Sequence, residues 1–328
     1  MTKRMIMSRT PLRITFTGGG TDIPEYFMNY GNGAVVNATI NRYIYITVNE
    51  KFDRRIRVSY STTEIVDSVD EIKHPVVREA LKYLNIGEKI EIVSMSDIPS
   101  NGTGLGSSST FTVGLLNALH AYKGEFASSS QLAKEAIHIE RNVLKEEGGL
   151  QDQYAAAIGG MNLMEFGKEP EVNVTPIIMP EDTMEQLQNH LLLLYTNMER
   201  KSDHIHTDQK TRISSLREKY EKMSKLSHRL KEEMNRGNYM EIGGLLHENW
   251  IEKKKLSNKI SMGEIDALYE RAMEKGATGG KLIGSGGGGF LMFFADPKYH
   301  RSISESLGLP VTPFRIVNRG SGIIFVGD

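Results

Sequence analysis

Clustered glycine constrains this chain more than any other feature. Among 328 residues there are 32 glycines, and many fall in tight groups at 18–20, 102/104/106, 148–149, 159–160, 279–280 and 284/286–289. Each group is flanked by apolar sequence, unlike a flexible linker, in which Gly is mixed with Ser and Pro over a long stretch. Glycine loses more conformational freedom on ordering than any other residue. Clusters inside folded sequence therefore mark places where backbone turns sharply or comes close to a ligand.

The sharpest group is Pro99-Ser-Asn-Gly-Thr-Gly-Leu-Gly-Ser-Ser-Ser109, between an expected strand and an expected helix. Three alternate glycines followed by three serines place bare N–H groups at a helix N-terminus, where orphan donors and the positive end of the helix dipole favour a polyphosphate. No Lys follows as in a Walker A loop, and the glycine spacing is not that of a dinucleotide-binding fingerprint. A Gly/Ser turn before a helix is the plainer alternative. The group Lys281-Leu-Ile-Gly-Ser-Gly-Gly-Gly-Gly-Phe290 leaves a structural turn and a ligand contact equally open. Thr10-Pro-Leu-Arg-Ile-Thr-Phe-Thr-Gly-Gly-Gly-Thr-Asp22 delivers Arg13 on a strand and presents Asp22 from a turn. In Gly148-Gly-Leu-Gln-Asp-Gln153, Asp152 reads as a functional carboxylate or as a helix cap.

Period-two patterns predict strands at 12–16, 34–40, 43–48, 89–94 and 161–166, and a buried strand at 191–195. Helical spacing predicts helices at 75–83, 108–122, 130–145 (N-capped by Ser130), 239–256 and 262–275. A longer one spans 211–236, with Ile213, Leu216, Tyr220, Met223, Leu226, Leu230 and Met234 on one face and Gly237 ending it. Strands at 289–294 and 323–326 close the chain. Strands with interspersed helices in both halves predict a two-domain α/β (α+β) enzyme, divided as 1–172 and 173–328.

Hydrophobic residues at 39% suffice for a sizeable core, and 40 basic against 41 acidic side chains leave a formal charge of −1. That balance speaks against a nucleic-acid binder, which needs a clustered basic surface. It leaves room for a pocket of two or three basic residues that takes one phosphorylated small molecule. The chain has no cysteine, so disulfides and thiolate chemistry are excluded. No apolar run approaches a membrane span or a signal peptide, so the expectation is a cytoplasmic protein without membrane partners. His204 and His206, two apart, do not share a helix face and predict no transition-metal site. Residues 253–255, three lysines, read as a solvated helix face, and the methionines as core filler.

Taken together, the motifs at 11–22, 99–109 and 281–289 resemble the three signatures of the GHMP kinases, the superfamily of galactokinase, homoserine kinase and mevalonate kinase. The resemblance covers nearly the whole chain. It implies an N-terminal ATP-binding domain like the second domain of ribosomal protein S5, with a left-handed crossover, and a ferredoxin-like C-terminal domain. It implies ATP as phosphoryl donor, held by Gly102, Thr103, Gly104, Leu105, Gly106, Ser107, Ser108 and Ser109. Mg²⁺ would sit on Ser108 and Glu140, although Glu140 by itself reads as an exposed helix charge. One hydroxyl, one carboxylate, phosphate oxygens and water suit magnesium.

The same resemblance makes Asp152 the catalytic carboxylate at the acceptor hydroxyl and Arg13 the cation beside it. Gly19, Gly20, Thr21 and Asp22 would meet the sugar, together with Gly286 and Gly287. The Gly18-Gly-Gly-Thr-Asp22 turn and Tyr195-Thr-Asn-Met-Glu-Arg-Lys-Ser202 are similar to the sugar-1-kinases acting on heptose 7-phosphate or L-fucose. That similarity implies phosphorylation of a heptose 7-phosphate at C1, on the route to GDP-heptose and surface polysaccharide. L-fucokinase and a catalytically silent sugar or ATP sensor are the alternatives. Arg200 and Lys201 are the first candidates for a phosphosugar's distal phosphate, and Arg319 and Lys281 the next. Residues 58–62 are a candidate adenine site, and a homodimer stays open.

Overall fold

The computed structural model describes residues 5–99, 102–169, 171–198 and 203–327. Its strands are β1 (Ile6–Thr17), β2 (Gly33–Glu50), β3 (Ile56–Ser59), β4 (Thr63–Val66), β5 (Ile90–Ser96), β6 (Met161–Phe166), β7 (Asn173–Pro176), β8 (Leu191–Tyr195), β9 (Ala277–Leu282), β10 (Phe290–Ala295) and β11 (Gly322–Val326). The helices are α1 (Pro24–Tyr30), α2 (Pro75–Tyr83), α3 (Ser107–Lys123), α4 (Ser129–Ile137), α5 (Gln151–Ile158), α6 (Glu181–His190), α7 (Asp203–Arg212), α8 (Arg217–Asn235), α9 (Ile242–Lys254), α10 (Gly263–Glu274) and α11 (Pro297–Leu307).

The larger sheet runs β11-β1-β2-β5-β3-β4, with β6 also on β2 and β7 on β6. A smaller antiparallel sheet runs β8-β10-β9, and a bridge between Leu194 and Val311 extends its edge. This is the mixed α/β architecture in two layered units that the patterning predicts. Two strands from beyond residue 172 nevertheless add to the larger sheet: β7 pairs with β6, and β11 returns to pair with β1. A division at 172/173 thus follows chain order, while the last strand folds back onto the first.

The two β runs at 34–40 and 43–48 are halves of one 18-residue strand, β2. Its first half pairs with β6 and its second with β5, while β1 lies along both. The β1–β2 register slips between Pro11 and Leu12, where a residue without an N–H suits an interrupted ladder. Along β1, Leu12, Ile14 and Phe16 are fully buried in the core. Strand alternation turns Arg13 and Thr15 to the opposite face, toward the cleft.

Two helices depart from their predicted form. The helix expected at 130–145 starts at Ser129, with Ser128 and not Ser130 as its N-cap, accepting from the Gln131 N–H at 3.2 Å, and it passes into a π-helical turn at His138–Val143. The helix expected at 211–236 is two, α7 and α8, separated by a turn. There the Ser215 hydroxyl donates to the Arg212 carbonyl at 2.9 Å, a local bond that competes with a continuous helix. Among the described residues no helix is long and apolar enough to cross a membrane.

Candidate active site

A cleft of about 930 Å³ opens where β1, the N-terminus of α3, the π-turn, α5, α9 and the loop after β9 converge. Arg13 is nearly buried, and its Nε and Nη2 donate to Asp152 Oδ1 and Oδ2, each at 2.7 Å. Its Nη1 donates to the Gly104 carbonyl at 2.5 Å, and its backbone N–H to Leu105 O at 3.0 Å. One guanidinium thus fixes a carboxylate on α5 and the glycine loop before α3. A bidentate fork of this kind sets orientation as well as adding energy.

The loop itself needs its glycines. Gly102, Gly104 and Gly106 have φ of 69°, 74° and 78°, a region side chains with a Cβ avoid. A Cβ on Gly104 would lie 2.3 Å from the Ile283 carbonyl oxygen, and one on Gly284 2.5 Å from Gly104 Cα. The glycine groups at 102–106 and 284–289 therefore pack backbone against backbone. This resolves the choice left open for residues 284–289: the glycines are required by contact, and Gly284, Gly286 and Gly288 also line the cleft. Gly287 does not line it; its N–H donates to Ile260 O at 3.0 Å. Gly106 caps α3, and the first-turn residues Ser107, Ser108 and Ser109 face the cavity. First-turn N–H groups of a helix have no intrahelical acceptor and suit an anion.

Glu140 is fully buried, so the reading as an exposed helix charge fails. Its Oε2 accepts from the Ser109 hydroxyl at 2.9 Å and from Gln153 Nε2 at 2.5 Å. Its Oε1 has no hydrogen-bond partner among the described residues. Ser109 is thus the serine held by Glu140, while Ser108 is exposed at the cleft wall. A free carboxylate oxygen, a nearby serine hydroxyl and room for phosphate oxygens and water fit a hard divalent cation such as Mg²⁺. Glu140 stands on the π-turn, an irregularity frequent at functional sites. On the same turn, Arg141 donates to the carbonyls of Glu146, Glu147 and Gly149, holding the loop that leads to Asp152.

Asp22 is buried and accepts from the Gly20 N–H at 2.8 Å and the Gln151 N–H at 3.2 Å. Gly149 must be glycine here, since a Cβ would fall 1.8 Å from Asp22 Oδ2. Gly19 and Gly20 line the cleft. Thr21 instead is a staple, exchanging bonds with the Ala34 backbone at 3.0 Å. Leu105 is buried behind the loop. Residues 58–62 and Arg319 are not among the cleft residues, and Arg200 and Lys201 lie outside the described residues.

Of two further cleft cations, Lys253 went against the sequence reading, and Lys281 was only a second choice in it. Lys253 does not belong to a solvated face: it is 4% exposed, and its Nζ donates to Gly19 O at 2.9 Å. Burial pushes its ammonium down to about 8, partly offset by Asp22. A signal was present, because Lys253 lies three residues after Trp250 and seven after Leu246, on the buried stripe of α9. Lys281, on β9, is 1% exposed and also lines the cleft. Gln151, whose Oε1 accepts from Thr15 at 2.8 Å, is a further cleft residue that motif reading passed over.

Comparison with known proteins places this geometry among relatives. Residues 72–160 match the model for the GHMP kinases N terminal domain and residues 230–307 that for GHMP kinases C terminal. The chain is 32% identical over 318 residues to a D-glycero-alpha-D-manno-heptose 7-phosphate kinase of Campylobacter jejuni subsp. jejuni, covering 93% of each. It is 26% identical to an L-fucokinase/L-fucose-1-P guanylyltransferase of Bacteroides fragilis, covering 90% of this chain and 35% of that protein. The crystal structure of a D-glycero-D-manno-heptose 1-phosphate kinase from Bacteriodes thetaiotaomicron superposes with a TM-score of 0.81 at 28% identity, covering 98% of this chain and all of that one.

Proposed function

Because the chain belongs to the GHMP kinases and is an ATP-dependent phosphotransferase acting on a sugar hydroxyl, we propose that its acceptor is D-glycero-D-manno-heptose 7-phosphate. The product would be the 1,7-bisphosphate, formed at the anomeric C1 hydroxyl as a step toward GDP-heptose and surface polysaccharide. The likeness to the Campylobacter jejuni relative along 93% of both chains supports the substrate class. The observation that carries the chemistry is the Arg13–Asp152 fork, which lines the same cleft as the first turn of α3 and is bonded to the loop before it.

In this reading the first-turn amides of α3 and the loop from Gly102 to Gly106 hold the triphosphate. Asp152, with both oxygens fixed by Arg13, orients the acceptor hydroxyl in line and receives its proton as the bond to phosphorus forms. Arg13 offsets charge on the transferring group, whose loose transition state asks mainly for positioning and electrostatics. Asp22, held by two backbone amides, accepts from sugar hydroxyls. Ser108 and the free oxygen of Glu140 would hold Mg²⁺, which supplies charge neutralisation at the phosphates.

Coupled ADP release over a sugar panel tests the proposal. Heptose 7-phosphate should give the highest kcat/KM, with phosphorus NMR locating the new phosphate at C1. Preference for free L-fucose would make the enzyme a fucokinase, and ATP binding without turnover on any sugar would make it a sensor.

A further inference from the structure

Two lysines in the cleft have no part in the phosphoryl-transfer chemistry above, and both are almost wholly enclosed. Lys253 donates to a single acceptor, the Gly19 carbonyl. Among the described residues, Lys281 Nζ makes no hydrogen bond and no ion pair. The charges acting on it are Lys253, Arg13 and Asp22. Asp152 is spoken for by Arg13, and the two oxygens of Asp22 already accept backbone N–H bonds. With every group ionised, three cations (Arg13, Lys253, Lys281) share this corner with two carboxylates (Asp22, Asp152).

A buried ammonium without a partner is expensive, and evolution ordinarily pairs such a group or replaces it. Two of them in the lining of one cleft, near enough for the charge of Lys253 to act on Lys281, make sense when the substrate brings the anion. We propose that Lys253 and Lys281 together seat the phosphomonoester that the acceptor sugar carries away from its reacting hydroxyl. The assignment rests on the phosphosugar reading of the cleft. It moves the expected contact from Arg200 and Lys201 to a pair on α9 and β9. The remaining N–H groups of the two ammoniums supply charge-assisted bonds to phosphate oxygens. In the free protein, burial first, then Lys253 and Arg13, drive Lys281 well below its ordinary value. A bound dianion reverses that balance.

The test compares Lys281→Met and Lys281→Arg with the wild type on heptose 7-phosphate and on the unphosphorylated heptose. Lost charge-assisted bonds should lower the ratio of kcat/KM values, phosphorylated over unphosphorylated, by about 10- to 100-fold in Lys281→Met, with Lys281→Arg recovering much of it. Thermal melts of the free proteins verify folding, and Lys281→Met should melt no lower than wild type because it removes an unpaired buried charge. An unchanged ratio, including an equal loss on both sugars, would overturn the assignment. A second arm does not depend on the sugar's identity. With the nucleotide loop saturated by ADP, inorganic phosphate should raise the melting temperature of the wild type and not of Lys281→Met. If wild type fails to use heptose 7-phosphate, the functional reading falls while this arm still decides the anion seat: equal responses to phosphate reject it, and a response lost in the variant upholds it.

Discussion

Arg13 and Asp152, 139 residues apart in sequence, meet through two parallel 2.7 Å bonds, and the same guanidinium reaches the Gly104 carbonyl. The carboxylate on α5 and the glycine loop before α3 are therefore tied to one side chain. Loss of Arg13 would release both the carboxylate and the loop, whereas loss of Asp152 leaves the bonds from Arg13 to Gly104 and Leu105 in place.

Asp152→Asn should reduce turnover by about 10²–10⁴-fold, the usual loss when a positioned base or orienting group is removed. ATP affinity should change little, because the amides of the loop and of the first turn of α3 remain. Calorimetric nucleotide binding beside a coupled ADP assay separates the two. A variant with wild-type kcat would remove Asp152 from the proposed role.

The geometry distinguishes the neighbouring serines. Ser108→Ala should raise the Mg²⁺ concentration for half-maximal rate, and Glu140→Ala should do the same. The double variant should be little worse than the worse single one, since groups serving one ion are not additive. Ser109→Ala removes one of the two donors to Glu140 Oε2, beside an Oε1 that already has none among the described residues, and should lower melting temperature more than Ser108→Ala does. Multiplicative losses for Ser108 and Glu140 would mean that they do not share an ion.

Adjacent glycines on α9 should respond with opposite signs. At Gly243 a Cβ would sit 2.0 Å from the Thr278 hydroxyl, while at Gly244 it meets nothing within 4 Å. Gly244→Ala should therefore stabilise by about 0.5–1 kcal/mol, the helical cost of glycine. Gly243→Ala should destabilise, because β9 must move away from the helix. Denaturant midpoints compare the pair directly, and equal shifts would contradict the packing described.

What the residues announced in advance follows from the kind of constraint each carries. The loop glycines, Arg13, Asp22 and Asp152 sit in short motifs that carry the resemblance to the GHMP kinases, so the sequence singles them out even where the residues alone left a turn or a cap open, and all four motifs meet at one cleft. Lys253 and Lys281 were harder, because the burial of a cation depends on what α9 and β9 pack against. That Ser109 is the serine bonded to Glu140 depends on which side of one helical turn faces the π-turn, and the regular helix expected at 130–145 has no such turn. In β2, Asn41 and Arg42 look like a loop between strands until both halves are seen to share β1 as a neighbour. At the α7–α8 break the Ser215 hydroxyl bonds the Arg212 carbonyl, a competition that helical periodicity does not weigh.

The last prediction concerns pH. Lys253 holds its proton in the free protein only up to about pH 8, because burial disfavours the charged form. Arg13 adds to that, and Asp22 and Asp152 oppose it. Its folded value lies below the unfolded one, so the native state binds fewer protons between about pH 8 and 10, and stability attributable to this residue rises with pH across that window. Substrate binding runs the other way. At pH 9 about a tenth of the free protein retains the Lys253 ammonium, while the sugar phosphate, with a second pKa of about 6, is fully dianionic well below that. KM for the phosphosugar should therefore climb above pH 8 while KM for the unphosphorylated sugar stays nearly level. In Lys253→Met the climb should be reduced, and the stability advantage of that variant over wild type should shrink as pH rises from 7 to 10. A phosphosugar KM that is flat from pH 7.5 to 9.5 would show that no lysine titrating near 8 contacts the phosphate.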